Sequence, residues 1–295
     1  MISLSKNIKK RHIVYLLIAL GITYFAWDSI FPDRTPHVAR ITISGSIGDD
    51  NEDLLDRIHR VGTDDSAKAL VLWISSPGGT VYGSESLFEA VKKVKLRKPV
   101  VTLVGGVAAS GGYLISCASN AIIASQSSII GSIGVFLSYP QFKPFLDKLG
   151  ISVETIKSSP LKGEPSPYSK PNPQTIQNLK ELVNDEYHWF VKLVSEERHI
   201  PYDKALTLSS GLVWSGTKAK KLGLIDAIGG NDEVWKSLYS LGVDKDVKII
   251  KDWKSPKNYW FFDFNFKKYV KSTLEDSVPF IRQANFEGLL AVWRP

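Results

Sequence analysis

The sequence predicts an α/β domain in which a parallel β-sheet is covered by helices. Residues 69–75 and 99–106 form continuous apolar runs, which are typical of strands buried on both faces of a sheet. A helical pattern at 84–95 lies between these strands, and a second one at 107–119 follows them. Strands that alternate with helices are typical of parallel sheets with right-handed crossovers.

The composition limits the possible classes of function. The chain has 295 residues, 43% of them apolar, which is enough for one large domain or two small ones. The net charge of +7 is spread out, without a basic block interleaved with aromatics, so we expect no nucleic-acid partner. Cys117 is the single cysteine, and no metal-ligand motif is visible, so we expect no disulfide framework, no metal and no cofactor. Cys117 lies on the apolar side of a predicted helix, which favours a place in the core.

The amino terminus predicts a membrane anchor. A basic segment at 1–12 precedes an apolar stretch at 13–31, and a linker at 32–37 follows it. The uncharged part of the stretch is about 15 residues long, a length that also suits a cleaved signal peptide. No small-residue cleavage motif follows it, and Tyr24 and Trp27 suit a membrane interface, so an uncleaved single-span anchor is favoured. The basic residues predict a cytoplasmic amino terminus and an exported body.

The first elements of the domain follow from the spacing of apolar residues. Residues 37–47 alternate as a half-buried strand does, and residues 51–61 place apolar side chains on one helical face. The strand at 69–75 is predicted to end in a turn, Ser76-Pro-Gly-Gly-Thr80, before the helix at 84–95 begins.

Shorter elements are predicted around one long loop in the second half of the chain. We predict, in order, strands at 121–124 and 129–135, a helix at 139–149, a strand at 153–157, a loop at 158–173, an amphipathic helix at 174–197, and a turn, helix and strand within 211–226. The loop is rich in Pro, Ser and Lys, and loops held by a rigid scaffold often carry function. The extension at 251–295 interleaves aromatics with lysines. It fits a membrane-surface or partner-binding segment, and equally a segment packed on the domain or a neighbouring subunit.

Ser110 is the first candidate for chemistry. It precedes two glycines in the predicted first turn of the helix at 107–119. Backbone N–H groups there lack partners and can stabilise an oxyanion, while the glycines let a substrate backbone approach. The Ser-Pro-Gly-Gly turn ends a neighbouring strand, so the N–H groups of Gly78 and Gly111 are candidates for an oxyanion hole. The alternative is that the small residues only let the helix pack tightly on the sheet.

The base for this serine is harder to assign. None of the five histidines lies in a loop framed by Gly or Pro, which disfavours a Ser-His-Asp triad. A lysine can serve if it is desolvated: lowering a lysine pKa from about 10.4 to about 7 costs roughly 4.6 kcal/mol, which burial can supply. Lys162 in the Pro-rich loop is the candidate by position, although the spacing also fits a solvated lysine. Glu164 is an unfavourable neighbour unless it points away.

Five motifs follow one another along the chain. They are Ser-Pro-Gly-Gly at 76–79, Ala-Ala-Ser-Gly-Gly-Tyr at 108–113, Gly-Ser-Ile-Gly-Val at 131–135, the lysine segment at 159–167 and the Trp-Ser-Gly segment at 211–226. In this order they resemble the short, single-domain form of bacterial signal peptide peptidase A, a serine protease family. The resemblance covers about residues 38–240. It implies a Clp-protease/crotonase-like fold, built from repeated β-β-α units, for a protease domain at 38–250.

The resemblance also implies the roles of particular residues. Ser110 matches the nucleophile, Lys162 the general base, and Ser132 the hydroxyl that orients the lysine. Gly78 and Gly111 match the oxyanion hole. The family often has Gly-Lys-aromatic-Lys where this chain has Ser-Pro-Leu-Lys, which leaves Lys162 as the only match to the base.

The function implied by the resemblance is that of a membrane-anchored endopeptidase. Its catalytic domain would lie on the periplasmic side of the bacterial inner membrane, and its substrates would be apolar peptides, in particular remnant signal peptides. Family members form homo-oligomeric rings in which Ser and Lys of one site come from adjacent subunits. Two alternatives stay open. One is a crotonase-type acyl-CoA enzyme, which an exported body disfavours because CoA is cytoplasmic, and the other is a non-catalytic membrane scaffold.

Overall fold

The computed structural model describes residues 35–253 and the backbone of residues 290–292. The predicted anchor at 13–31 and most of the extension at 251–295 lie outside these residues. Among the helices of the described residues, none is both long enough and apolar enough to cross a membrane.

One β-sheet organises the described residues. Its strands are β1 (His37–Ile47), β2 (Ala67–Thr80), β3 (Val100–Ala109), β4 (Ala121–Ala124), β5 (Ile129–Gly131), β6 (Val213–Ser215), β7 (Ala227–Ile228), β8 (Ile250–Asp252) and β9 (Leu290–Val292). The order across the sheet is β6-β5-β3-β2-β1-β8, with β4 joined to β3 and β7, and β9 joined to β2. Of these pairs, β5 with β6 and β2 with β9 are antiparallel, and the others are parallel. The predicted α/β fold with a largely parallel sheet is therefore confirmed.

Helices connect the strands and pack on both faces of the sheet. They are α1 (Glu52–Thr63), α2 (Val81–Lys95), α3 (Gly111–Cys117), α4 (Lys143–Lys148), α5 (Pro173–Glu197), α6 (Tyr202–Leu208), α7 (Gly216–Leu222) and α8 (Asn231–Ser240). α2 begins directly after β2, and the Thr80 hydroxyl caps it by accepting the N–H of Gly83 at 3.1 Å. This cap holds the end of β2, where the candidate site lies.

Apolar side chains are buried on both faces of the sheet, as the continuous apolar runs predict. Along β2, Leu70, Leu72 and Ile74 belong to the larger core cluster, to which α1, α2, α3 and α5 contribute. Val71 points to the opposite face and packs in a smaller cluster with Val234 of α8. Each buried Leu or Ile side chain contributes about 1.5–3 kcal/mol, so β2 is firmly held up to its carboxyl end.

β2 runs further than the sequence predicts. Residues 76–80, predicted as a turn, continue the strand. Gly78 pairs with Ser46, and Gly79 with Ile47, in parallel register. The pairing with β1 keeps the glycines in the sheet although glycine and proline disfavour strands.

β3 also runs further than predicted, so the helix after it begins later than residue 107. Residues 107–109 pair with residues 129–131 of β5 and therefore stay in the sheet. The helix α3 begins at Gly111. Ser110 thus lies between strand and helix and not within the first helical turn.

The predictions for residues 139–197 agree with the structure only in part. The loop at 158–173 and the helix at 174–197 are confirmed, since α5 begins at residue 173. The helix predicted at 139–149 is shorter, at Lys143–Lys148. The strand predicted at 153–157 is wrong, because these residues are mostly exposed and pair with no described strand.

An ion pair fixes the end of α5 to the sheet. The Arg198 side chain is 7% exposed, and its guanidinium donates to the two carboxylate oxygens of Asp226 at 2.9 and 2.7 Å. It also donates to the carbonyl of Gly223 at 3.2 Å. Asp226 accepts the N–H of Ile122 in β4 at 2.7 Å. The pair therefore joins α5, the segment after α7, and β4.

Arg198→Met should lower the free energy of unfolding by about 2–4 kcal/mol, because it removes two charge-assisted hydrogen bonds to Asp226 and one to the carbonyl of Gly223. Asp226 is 40% exposed, so water limits the loss. Denaturant unfolding followed by circular dichroism measures it. The control is Lys192→Met on α5, whose exposed contact with Glu196 spans 3.9 Å and should be worth less than about 0.5 kcal/mol. Equal losses in both variants would contradict the role given to Arg198.

Candidate active site

Ser110 occupies a sharp turn between β3 and α3. Its φ of 53° and ψ of −119° lie in a region that L-residues rarely adopt, at a cost of about 1–3 kcal/mol. Its N–H donates to the carbonyl of Gly131 at 2.7 Å, and its hydroxyl donates to the carbonyl of Gly134 at 3.5 Å. The residue is 1% exposed. Strained backbone of this kind concentrates at functional sites, which supports a chemical role for Ser110.

The glycines after Ser110 let two backbone segments touch. A Cβ atom at Gly112 would lie 2.7 Å from the carbonyl oxygen of Ser76, closer than real Cβ atoms approach. A Cβ atom at Gly111 would lie 3.3 Å from the backbone nitrogen of Gly79. The end of β2 and the Ser110 turn therefore converge, as the sequence predicts.

The predicted oxyanion donors lie on these two segments. Gly78 has a φ of 105°, which favours glycine, and its buried N–H donates to the hydroxyl of Ser76 at 3.1 Å. Gly111 is the first residue of α3, where an N–H group has no partner within the helix. Both N–H groups thus belong to the segments that meet beside Ser110, as an oxyanion hole would require.

A second serine with positive φ lies in the turn that holds Ser110. Ser132 has a φ of 49°, is 7% exposed and donates its N–H to the carbonyl of Leu212 at 2.8 Å. It lies between Gly131 and Gly134, whose carbonyls accept from Ser110. The sequence indicates Ser132 but not the two carbonyl acceptors, because a backbone oxygen leaves no trace in the sequence beyond the glycines around it.

Lys162 is not hydrogen-bonded to either serine within one copy of the chain. It is exposed in the loop at 158–173, and its side chain has no hydrogen-bond or ion-pair partner among residues 35–253. The structure therefore brings Ser110 and Ser132 together with the two glycine segments, and it leaves the candidate base in solvent.

Glu164, the unfavourable neighbour, is directed to another lysine. Its carboxylate accepts from Lys157 Nζ at 2.5 Å and from the N–H of Ser166 at 3.2 Å, and its side chain is 8% exposed. The hydrogen bond from Lys157, helped by that from Ser166, holds the pKa of Glu164 below its usual range. Glu164 therefore does not pair with Lys162, and Lys157 is engaged elsewhere.

Neither a histidine nor the cysteine of the described chain is hydrogen-bonded to the Ser110 hydroxyl. No histidine among residues 35–253 hydrogen-bonds the Ser110 hydroxyl, and His188 Nδ1 lies 2.7 Å from the hydroxyl of Tyr202. Cys117 is fully buried, and this burial raises the pKa of its thiol to about 12, so it is inert and part of the core. The described residues contain no group of His, Cys, Asp and Glu that could hold a metal ion.

The segment that carries Lys162 exposes many apolar side chains. These are Phe136, Tyr139, Phe142, Phe145, Leu149, Ile151, Val153, Ile156, Leu161 and Tyr168. Beside them a groove of about 500 Å³ lies between residues 135–139 and the first half of α5, where Ile176, Leu179 and Val183 line it. The helix α5 is predicted to be amphipathic, and its apolar face is fully buried only in the second half of the helix. Extensive exposed apolar surface is typical of sites that contact another protein or a peptide.

The edge of β2 beside Ser110 pairs with another extended segment of the chain. Up to Ser76, β2 lies between β1 and β3. Beyond this point β3 turns toward Ser110. On the side that β3 leaves, residues Gly78–Thr80 pair with Leu290–Val292 in antiparallel register, while Gly78 and Gly79 stay paired with β1 on the other side. An extended strand thus lies along the candidate oxyanion segment. The sequence does not indicate this pairing, because main-chain hydrogen bonds require no side-chain pattern.

Two family models match the chain. The model described as peptidase family S49 matches residues 92–244, and the model described as Clp protease matches residues 33–129. Ser110 lies in the stretch that both models share. Together they cover residues 33–244, from β1 through α8.

Individual relatives agree with these matches. The chain is 35% identical over 237 residues to a candidate protease of Methanocaldococcus jannaschii, which covers 80% of this chain and 72% of that protein. It is 32% identical over 252 residues to Protease 4 of Haemophilus influenzae, and the match covers 79% of this chain and 40% of that protein. It is 31% identical over 214 residues to a candidate signal peptide peptidase SppA of Enterococcus faecium, and the match covers 68% of this chain and 62% of that protein.

Glu164→Gln should increase backbone hydrogen exchange at 157–166 at pH 7, because a neutral amide cannot compensate the charge of Lys157. The ion pair contributes fully above the ordinary carboxylate pKa of about 4.3 and is lost as the pH falls through the lowered pKa of Glu164. Exchange measured by mass spectrometry should therefore differ between variant and wild type at neutral pH and become equal in acid.

The control for this loop is Glu154→Gln, which changes an exposed carboxylate of the same segment. In this variant, the backbone amides of residues 157–166 should exchange at the wild-type rate at every pH. If Glu164→Gln leaves the loop equally protected at pH 7, the ion pair does not order the segment that carries Lys162.

Proposed function

Since the chain belongs to peptidase family S49 and shares the mixed α/β fold of Clp protease, we propose that it is a serine endopeptidase with Ser110 as nucleophile and Lys162 as general base. The family and its relatives support the coarser statement, a serine-type peptidase. The observation that carries the proposal is the strained Ser110 turn beside the Gly78–Thr80 edge, which already accepts an extended strand. A peptide in the place of that strand would present its carbonyl groups to the Ser110 hydroxyl.

The proposed reaction is acyl transfer to the serine. The neutral amine of Lys162 takes the proton of the Ser110 hydroxyl while the serine oxygen attacks the peptide carbonyl. The N–H group of Gly111, and that of Gly78 once it leaves the Ser76 hydroxyl, stabilise the resulting oxyanion. Lys162 then gives the proton to the leaving amine, and an acyl-enzyme forms. Water, deprotonated by Lys162, hydrolyses the acyl-enzyme, and the Ser132 hydroxyl orients the lysine in both steps.

We propose that Lys162 reaches Ser110 from an adjacent subunit of a homo-oligomeric ring. Among residues 35–253 of one copy, the lysine is exposed and no base is hydrogen-bonded to the Ser110 hydroxyl. The apolar side chains exposed between Phe136 and Tyr168 provide a surface for such a contact. The contact would remove the lysine from water, and burial favours the neutral form that a base requires.

The proposed substrates are apolar peptides in extended conformation. Main-chain pairing along Gly78–Thr80 requires an extended chain, and the apolar groove on α5 favours apolar side chains. The resemblance to a candidate signal peptide peptidase supports remnant signal peptides as the physiological class. The basic segment at 1–12 and the apolar stretch at 13–31 support an anchor in the bacterial inner membrane, with the catalytic domain on the periplasmic side.

Ser110→Ala and Lys162→Ala should each reduce kcat for a fluorogenic apolar peptide at least about 10³-fold in the full-length chain purified in detergent, because each removes one half of the dyad. The control Lys170→Ala removes another exposed lysine of the same loop and should keep wild-type activity. Co-assembly of the two inactive variants should restore part of the activity, because some sites would then receive an intact serine and an intact lysine from neighbours.

The outcomes of this experiment separate the alternatives. Wild-type rates in both variants would refute the Ser/Lys assignment. A mixture that stays inactive, although native mass spectrometry shows mixed oligomers, would place both residues of a site on one subunit. An assembled wild type that cleaves no peptide of an apolar library would favour the scaffold, and activity on acyl-CoA alone would favour the crotonase-type enzyme.

Deletion of residues 290–295 should lower the KM for a peptide several-fold with little change in kcat, because it opens the Gly78–Thr80 edge to substrate. Deletion of residues 293–295 alone keeps the paired strand and should leave KM unchanged. A synthetic peptide with the sequence of residues 286–295 should inhibit the shortened chain competitively. Steady-state kinetics tests all three, and an unchanged KM after the longer deletion would show that β9 does not compete with substrate.

A further inference from the structure

The turn that accepts the hydrogen bonds of Ser110 is itself held by the segment around β6. β6 pairs antiparallel with β5, with Trp214 opposite Ile130. Just before β6, the carbonyl of Leu212 accepts the N–H of Ser132 at 2.8 Å, and the N–H of Gly211 donates to the carbonyl of Ile133 at 3.2 Å. Residues 211–215 therefore form the support on which the turn from Gly131 to Gly134 rests.

This turn needs external support because its backbone is strained. Gly131 and Ser132 have φ values of 111° and 49°, and Ser110, which they hold, has a φ of 53°. Glycine adopts a positive φ readily, but Ser132 and Ser110 keep theirs only where the surroundings impose it. Any loosening of the turn would move the Gly131 carbonyl that accepts the Ser110 N–H, and with it the serine hydroxyl.

Trp214 is the side chain that packs against the turn. A Cβ atom added to Gly131 would lie 3.1 Å from Trp214 Cδ1 and 3.6 Å from its Nε1, so the indole covers this glycine directly. Trp214 Nε1 is enclosed and has no hydrogen-bond partner among the described residues. The indole therefore acts on Gly131 through its shape and not through its N–H group. Its other contacts are with the larger core cluster, which keeps the ring in place.

We infer that Trp214 is a positioning residue for the proposed reaction: its ring fixes the Gly131–Gly134 turn and, through that turn, the Ser110 hydroxyl and Ser132. The inference rests on the proposed role of Ser110 as nucleophile. Trp214 does not need to touch substrate, so its loss should affect the reactivity of the serine and not the binding of the peptide.

The experiment uses the full-length chain in detergent with three variants. Trp214→Ala should lower kcat about 10²-fold, as a misplacement of about 1 Å does, while KM stays within about twofold of wild type. Covalent labelling of Ser110 by a fluorophosphonate probe should slow in parallel. Trp214→Phe keeps an aromatic ring against Gly131 and loses only an N–H group without a partner, so it should retain both kcat and the labelling rate within about threefold.

The matched control is Trp235→Ala on α8. Trp235 is partly buried against the smaller core cluster and stacks on Tyr239 at 5.5 Å between ring centroids, away from the Ser110 turn. Its loss should lower the melting temperature as Trp214→Ala does, but leave kcat and labelling near wild type. If Trp214→Ala fails to fold, Trp214→Leu takes its place with the same expected split between kcat and KM.

Three results would overturn the inference. They are wild-type kcat and labelling in Trp214→Ala or Trp214→Leu, a Trp214→Phe variant as impaired as the alanine variant, and an equal loss of kcat in Trp235→Ala. Failure of the proposed function looks different, because wild type itself would then neither label at Ser110 nor differ from Ser110→Ala in peptide hydrolysis.

Discussion

Close contact between backbones at the end of β2 is the constraint on which the candidate site depends. A Cβ atom at Gly79 would lie 1.8 Å from the carbonyl oxygen of Ile47, and one at Gly112 would lie 2.7 Å from that of Ser76, so these segments meet only because side chains are absent. The apolar burial of the preceding residues holds the strands in register, and this register determines where β3 ends and Ser110 projects. The core therefore positions the backbone, and the backbone positions the hydroxyl.

A site built from backbone groups has its hydrogen-bond donors in place before any ligand arrives, because N–H groups in a sheet and at a helix start need no side-chain ordering. A lysine base needs a different environment, since it works only where water is excluded. The structure separates the two requirements: Ser110 is buried within one chain, and Lys162 is exposed on a segment rich in apolar side chains. Under the proposed dyad, assembly completes the chemistry, and an unassembled subunit would be inactive.

The central strands and the candidate nucleophile are predictable from sequence, because burial on both faces leaves a continuous apolar run at 69–75 and because glycines mark the turn after Ser110. The extension of β2 through residues 76–80 is not predictable from local preference, since only pairing with β1 keeps glycine and proline in a strand. The β-branched residues at 153–157 mislead for another reason: a local preference for extended backbone does not supply the neighbouring strand with which a strand must pair. The place of Lys162 depends on tertiary contacts of its loop, which no local pattern encodes.

Under the proposed function, the strand that lies on Gly78–Thr80 would compete with a peptide substrate. Main-chain hydrogen bonds are available to any extended peptide, so a substrate and the chain's own Leu290–Val292 can use the same edge without sharing side chains. A covalently attached segment has an effective concentration commonly on the order of mM, so a peptide of equal affinity would have to reach that concentration to take half of the sites. Access is then decided by the difference in affinity between the peptide and the segment it displaces. A peptide gains this difference only through side-chain contacts beyond the edge, and under the proposed function the apolar groove on α5 would supply them.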